Sequence, residues 1–173
     1  NLKDPNAQQA LYKLVEKADV FLTNSMPHVC AALGIGFDKL IKISPKLVYA
    51  LITGYGDSGP DADTPGFDAT AWWARSGLAD AVRAKGSDPA VLVPGMGDQN
   101  TATALYAAVM TGLYQRERTG KGCKVSTSLM ANGVWTNGIY AQAQLVGAKF
   151  AEATAHVDSP NPLIGSYYKT KDN

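Results

Sequence analysis

The chain has 173 residues, 46% of them hydrophobic, enough for one domain of ordinary size with a sizeable core, which excludes disorder as the default. With 16 Lys and Arg against 15 Asp and Glu the formal charge is +1, so there is no bulk field to hold a nucleic-acid backbone or an anionic membrane. The most apolar stretch, Val125 to Ala151, is broken by Asn132, Thr136, Asn137, Gln142 and Gln144 and is no membrane span, while Cys30 and Cys123 alone make neither a disulfide framework nor a four-ligand metal site. A reducing cytoplasm is the simplest home.

In chain order, Asp4 as N-cap, Pro5 at the first helical position, and Ala10, Leu11, Leu14, Val15 and Ala18 at helical spacing predict an amphipathic helix over about 5–17. Asp19 to Thr23 is a short apolar run that suits a buried strand. A helical turn or two near 28–33, a Gly34-Ile35-Gly36 break and a short helix from Asp38 to about Ile43 follow. Leu47 to Thr53 is the clearest strand, apolar almost throughout, as expected where helices cover both faces of a sheet. Helix, strand, helix, strand predicts a parallel α/β sheet.

From Gly54 to Gly66 the chain holds four glycines, two prolines and three aspartates, which reads as a long loop after a strand. Asp68 to Leu78 reads as a helix carrying Trp72 and Trp73, and Ser87 to Asp98 as loop around Val91-Leu92-Val93. A long helix over 99–118 is predicted from Ala104, Leu105, Ala108, Val109, Gly112 and Leu113, ending at Arg116-Glu117-Arg118 before Gly120. Gly122 to Ser128 reads as a strand and Leu129 to about Ala148 as a third long helix. The chain begins without an initiator Met or a signal-like segment and ends at Tyr167 to Asn173 in what reads as a strand or turn caught mid-course, so we expect an internal fragment of a longer protein.

Several constellations carry possible chemistry. Gly54-Tyr55-Gly56-Asp57-Ser58-Gly59 matches GxGxxG after a strand, but Pro60 and Pro65 forbid the helix N-terminus that would receive a pyrophosphate. Gly95-Met96-Gly97-Asp98-Gln99-Asn100-Thr101 places one carboxylate at the mouth of the long helix. Asp98 there reads as an N-cap, and it also suits a nucleophile held open to substrate beside the helix dipole; a residue can do both in different states. His28-Val29-Cys30 lacks the further ligands of a metal site. Trp72 and Trp73 with Arg75 could stack on an adenine or acyl group, although a packed helix face is the simpler reading for at least one of them. Arg116, Arg118, Lys121 and Lys124 around the Thr119-Gly120 turn suit a helix C-terminus, with phosphate binding as the minority reading.

Six segments stand out in order: Ala18 to Asn24, Leu33-Gly34-Ile35-Gly36-Phe37-Asp38-Lys39-Leu40, Pro45 to Ala50 leading to Gly54 through Pro60, Pro65-Gly66-Phe67-Asp68, Gly97 to Thr101, and Arg116 to Gly122. Taken together they resemble the class III CoA-transferases, among them the formyl-CoA, carnitine and 2-hydroxyacyl CoA-transferases. The resemblance covers nearly the whole chain and implies the parallel-sheet, Rossmann-like large domain of such an enzyme, with residues 1–173 as one α/β fragment of it lacking the N-terminal strand region and the C-terminal small domain. It implies that Asp98 is the catalytic nucleophile, forming an acyl-aspartyl anhydride and then an aspartyl-CoA thioester that the acceptor acid reopens. By the same resemblance Asn24 and Ser25 line the CoA site, and Thr53 and Tyr55 approach the pantetheine arm or the acyl group. Coenzyme A is then substrate and product, with no tightly bound cofactor and no metal; the partners are an acyl-CoA, a small carboxylic acid and a second copy in an interlocked homodimer, with no nucleic acid and no membrane.

The chain departs from its relatives at Ser25, where an aromatic often stands, and at Ala32, where some carry an Arg that meets a CoA phosphate. The related α-methylacyl-CoA racemases use a His where this chain has Phe67, and a phenyl ring cannot transfer a proton. The stretch Gly66-Phe67-Asp68 with Trp72-Trp73-Ala74-Arg75 is more similar to transferases of 2-hydroxy acids. The alternatives are a racemase-like enzyme and a non-catalytic CoA- or nucleotide-binding α/β domain in which Asp98 only caps its helix; the fragment alone is expected to be inactive.

Overall fold

The computed structural model describes residues 1–83, 86–89, 93–148 and 170–172. The loop expected around Val91-Leu92-Val93 and the strand or turn expected at Tyr167 to Asn173 lie largely outside the described residues. Three parallel strands, β1 (Val20–Thr23), β2 (Val48–Thr53) and β3 (Cys123–Ser128), form one sheet in the order β1-β2-β3. The register pairs Thr23 with Leu51 and Thr53 with Ser128, so the strands deliver their C-terminal ends to one edge.

β2 is central and buried on both faces, which is why it reads as an unbroken apolar run. Tyr49 and Leu51 meet a cluster with Val15, Cys30, Ile35, Leu40 and Leu47, supplied by α1 (Pro5–Val15), α2 (Pro27–Ala32), α3 (Phe37–Ile43) and the turns beside them. Side chains alternate along a strand, so Val48 faces the other way, where it and Val125 of β3 border Gly112 of the long helix α5 (Met96–Thr119). The predicted cap of α1 is present, with the Asn6 amide donating to Asp4 Oδ1 at 2.8 Å, but Leu14 of its periodic set is 68% exposed.

The second half departs more from expectation. The segment predicted as a helix over Asp68 to Leu78 is a π-helix (Asp68–Ala74), marked by the Arg75 amide donating to the Thr70 carbonyl five residues back, followed by the short α4 (Leu78–Ala81). Trp72 and Trp73 are both buried, edge to face at 4.9 Å, in a second core with Ala71, Leu78, Ala79 and Leu129. Neither is free to stack on a ligand, and this corrects the adenine reading. The third long helix is two helices, α6 (Leu129–Thr136) and α7 (Gly138–Leu145), parted at Asn137, whose side-chain amide donates to the Ser76 carbonyl at 2.9 Å. Among the described residues no helix is long and apolar enough to cross a membrane.

Candidate active site at the carboxyl edge of the sheet

In parallel α/β sheets ligands sit outside the carboxyl ends of the strands. Asn24 and Ser25 leave β1 there, and Thr53, Gly54 and Tyr55 end β2. The Ser25 amide donates to Thr23 Oγ1 at 3.1 Å and its carbonyl accepts from Cys30 Sγ at 3.3 Å, so that turn is held by backbone and Ser25 is half-buried. Asn24 is exposed, and its side chain makes no hydrogen bond among the described residues. Thr53 is buried, its hydroxyl oxygen accepting from the Gly56 amide at 2.9 Å, which gives it a clear structural role in the turn. Tyr55 is half-buried against the tryptophan core, with the Arg75 guanidinium 5.7 Å above its ring.

After β2 the long loop folds back so that Gly66 lies on Gly54; a Cβ at Gly54 would stand 2.6 Å from Gly66 Cα. This close approach returns the chain to the strand end and starts the π-helix there, with the Phe67 amide donating to Thr70 Oγ1 at 3.0 Å. The π-helix then grips the first turn of α5 at two points. The Asp68 carboxylate accepts the Gly95 amide at 3.0 Å and the Gly97 amide at 2.7 Å. Trp72 packs directly on Gly97, where a Cβ would collide with Cγ of the indole.

Two expectations about Asp98 change accordingly. The long helix begins at Met96 rather than 99, with Gly95 at φ 75° as the N-cap residue, and Asp98 sits inside the first turn. Asp68 accepts the Gly95 and Gly97 amides there, and the Asp98 side chain accepts neither, so Asp98 is not the cap. Its carboxyl is exposed, makes no hydrogen bond among the described residues, and is pushed above the usual carboxylate range by partial desolvation and then by the charge of Asp68. That push opposes the helix dipole, which alone would favour the charged form.

Among the described residues no hydrogen bond links Asp98 with Asn24, Ser25, Thr53 or Tyr55; the link runs through the Gly54–Gly66 contact and Asp68. Asp68 is the neighbour of Asp98 that sequence reasoning missed. It lies 27 and 29 positions from the amides it accepts, so no local capping pattern could reveal it.

The other constellations are accounted for. His28 Nδ1 lies 2.7 Å from Asp63 Oδ1 and Cys30 is buried against Ser25, with no group of three metal-ligating side chains among the described residues. Arg116 pairs with Asp19 at 2.8 Å and Lys124 with Asp57 at 2.7 Å, so half of the basic cluster is already engaged. Arg75 pairs with Asp61 at 2.7 Å. The GxGxxG loop ends in turns, with no helix before the π-helix at Asp68.

Two cavities contain none of the five predicted site residues. One of about 650 Å³ lies between α5 and α6, walled by Asn100, Thr103, Ala104, Ala107, Asn132, Trp135 and Thr136. It has no ionisable side chain, so it supplies no carboxylate, thiolate or imidazole to a bound group. The other, about 680 Å³, lies at the opposite, amino end of the strands around Asp19, Lys46 and Arg116.

The profile of CoA-transferase family III matches residues 1–173. The chain is 39% identical to cinnamoyl-CoA:phenyllactate CoA-transferase of Clostridium sporogenes, over 100% of its own length and 42% of that protein's. It is 34% identical to (R)-2-hydroxy-4-methylpentanoate CoA-transferase of Clostridioides difficile, covering 99% of this chain and 42% of that one. It shares the fold of a CAIB/BAIF family protein from Brucella suis, with a TM-score of 0.82 at 24% identity over 90% of this chain and 41% of that one. The chain thus spans about two fifths of the length of the curated relatives it matches.

Proposed function

Because the chain belongs to CoA-transferase family III, we propose that the protein to which it contributes moves coenzyme A from an acyl-CoA to a carboxylic acid, with Asp98 as the covalent nucleophile. The observation that carries this reading is the exposed Asp98 carboxylate at a helix start where Asp68 already accepts the Gly95 and Gly97 amides. A carboxylate freed of hydrogen bonds, and raised in basicity by desolvation and a neighbouring charge, is a better nucleophile than a capping one.

The proposed steps balance as follows. An Asp98 oxygen attacks the thioester carbonyl carbon, the C–S bond breaks, and CoA leaves as thiolate, giving an acyl-aspartyl anhydride. The thiolate attacks the Asp98 carbonyl carbon and expels the donor acid as carboxylate, leaving an aspartyl-CoA thioester. The acceptor carboxylate attacks that thioester, and the released thiolate then takes the acceptor acyl group, regenerating Asp98. No net proton or electron is exchanged, and both anhydrides need protection from water.

Asn24 and Ser25 at the end of β1 and Thr53 and Tyr55 at the end of β2 are proposed to border the CoA, since they lie on the edge from which the π-helix reaches α5. Acceptors of the 2-hydroxy acid class are proposed from the two relatives named for phenyllactate and 2-hydroxy-4-methylpentanoate. The rest of the polypeptide is proposed to complete the site, in a cytoplasmic homodimer; the exposed Trp135, Ile139 and Leu145 of α6 and α7 are apolar surface that further chain or a second copy would cover.

The test is to incubate the full-length protein with cinnamoyl-CoA, quench with hydroxylamine and map peptides around Gly97-Asp98-Gln99 by mass spectrometry. A hydroxamate on Asp98 is expected. An unmodified Asp98 across a panel of acyl-CoAs, with CoA binding demonstrated separately, would remove the nucleophile from this reading.

A further inference from the structure

We propose that Asp68 is the positioning residue of the nucleophile: by accepting the Gly95 and Gly97 amides from outside the helix, it relieves Asp98 of capping and keeps that carboxylate available to the acyl-CoA. The inference rests on the transferase reading above and adds another residue to its site.

The argument begins with redundancy. A helix that needs only a cap takes it most simply from Ser, Thr, Asp or Asn at the N-cap position. This chain has Gly95 there, with no side chain to offer, and an acid two residues into the helix that caps nothing. The cap comes instead from a buried acid on another element, 27 positions away. Two carboxylates at one helix end repel each other, an arrangement a purely structural cap would avoid. It has a use if one carboxylate saturates the amides and the other is left reactive.

The π-helix is suited to this task. Asp68 and Trp72 stand four apart on it, and one binds the Gly95 and Gly97 amides while the other seats against Gly97. The first turn of α5 is therefore fixed by a polar and an apolar contact from the same element.

Among the described residues of the elements packed on α5, no other charged group competes. The elements packed on α5 are β2, β3, α6 and the π-helix. Gly112 borders Val48, Cys123 and Val125, so Tyr49 of β2 and Cys123 and Lys124 of β3 belong to that level of α5. Gly112 is about 21 Å along the helix from Asp98 at 1.5 Å per residue. α6 carries no titratable side chain. Among the described residues of these elements, Asp68 is the charged group that faces Asp98, and it contributes to the upward shift of that carboxyl.

The experiment uses full-length protein labelled with carboxyl-¹³C aspartate, so that Asp98 is titrated directly, alongside hydroxamate trapping. Asp68→Asn keeps the shape but offers one acceptor oxygen and one NH₂, leaving an amide of the first turn unpaired. Asp98 is then expected to turn back onto it. The expected result is a fall of the Asp98 pKa toward the ordinary carboxylate value, and a hydroxamate rate and kcat about 10- to 100-fold lower, with KM for the acyl-CoA within about twofold. Asp68→Glu, which keeps the charge and both acceptors, is expected to recover the larger part of the rate.

A folded Asp68→Asn protein with an unchanged Asp98 pKa and unchanged kcat would sink the role of Asp68. Absence of the wild-type hydroxamate would instead sink the nucleophile reading, while the two titrations still compare positioning. Should Asp68→Asn fail to fold, Asp98→Ala decides, since alanine has no side-chain acceptor: slow hydrogen exchange of the Gly95 and Gly97 amides is expected to persist in it, and its loss would mean that Asp98 was the cap after all.

Discussion

The loop after β2 and the first turn of α5 each present an aspartate in a glycine-rich setting, and they treat it in opposite ways. Asp57, within Gly54-Tyr55-Gly56-Asp57-Ser58-Gly59, is paired with Lys124 of β3 at 2.7 Å, and that hydrogen bond holds its carboxyl below the usual range. Asp98, within Gly95-Met96-Gly97-Asp98, has no partner among the described residues and is pushed upward. The loop after β2 has the more ligand-like pattern, yet its acid pins it to the neighbouring strand. The entrance to α5 has an ordinary helix-start pattern, yet its acid is the one left open. Chemistry follows from whether each carboxylate finds a partner, and the residue that decides it, Lys124 for Asp57 and Asp68 for Asp98, is distant in sequence in both cases.

The widest separation between the two aspartates is expected in turnover. Asp98→Asn in the full-length protein is expected to lower CoA transfer by about a thousand-fold or more, the usual consequence of removing a nucleophile, with folding intact because Asp98 caps nothing. Asp57→Asn is expected to keep transfer within a few-fold and to lose under about 1 kcal/mol of stability, because its ion pair is partly exposed and screened. Transfer assays and urea unfolding on the two variants measure both. Equal losses of activity would erase the distinction between the loops.

The glycines sharpen it next. A Cβ at Gly97 would collide with Trp72 Cγ, the root of a fully buried ring, so Gly97→Ala is expected to cost about 1–3 kcal/mol by overpacking and to displace Asp98. Gly59 has φ 90° and open space around the position a methyl would take, so Gly59→Ala is expected to cost about 1 kcal/mol from backbone strain alone, with transfer retained. Denaturation midpoints and transfer rates of the two alanine variants decide this. Loss of transfer in Gly59→Ala would give the GxGxxG loop a functional part that its ion pair does not suggest.

How much of this was legible in sequence follows the range of the interactions. The first 53 residues are governed by local rules: Asp4-Pro5 starts α1, an unbroken apolar run makes β2, and each element falls within a residue or two of its prediction. From residue 54 onward the deciding contacts are remote. Gly66 on Gly54 returns the chain to the sheet, Asp68 caps α5, Asn137 reaches Ser76 and ends α6, and Trp72 and Trp73 close a core with Leu129. Periodicity sees none of these. It therefore places the start of α5 three residues late, makes Asp98 a cap and fuses α6 with α7. Asp98 itself stands out by resemblance to a family, and the residue that frees it is visible only in three dimensions.

The smallest expected effect is on the pH dependence of stability, where the two acids differ in sign. Asp98 has a folded-state pKa above its ordinary 3.8, so the native state binds that proton more tightly and stability falls as pH rises from 3.8 through the raised value. Asp57 has a folded-state pKa below 3.8, so its contribution is present above 3.8 and is lost as pH falls through the lowered value. At neutral pH Asp98→Asn is therefore expected to melt at or above the wild-type temperature and Lys124→Ala below it, each by under about 1 kcal/mol. Below pH 3.8 the Asp98→Asn difference is expected to shrink, since that carboxyl is then protonated in folded and unfolded chains alike, while the Lys124→Ala difference shrinks only as pH falls through the lowered value of Asp57. Salt near 1 M is expected to narrow the Lys124→Ala gap further, because that pair is partly exposed. Melting curves of the three proteins across pH 3 to 8 give the signs directly. An Asp98→Asn protein that is less stable than wild type at neutral pH would mean that its carboxylate is held by a favourable partner, and the contrast with Asp57 would fail at its physical root.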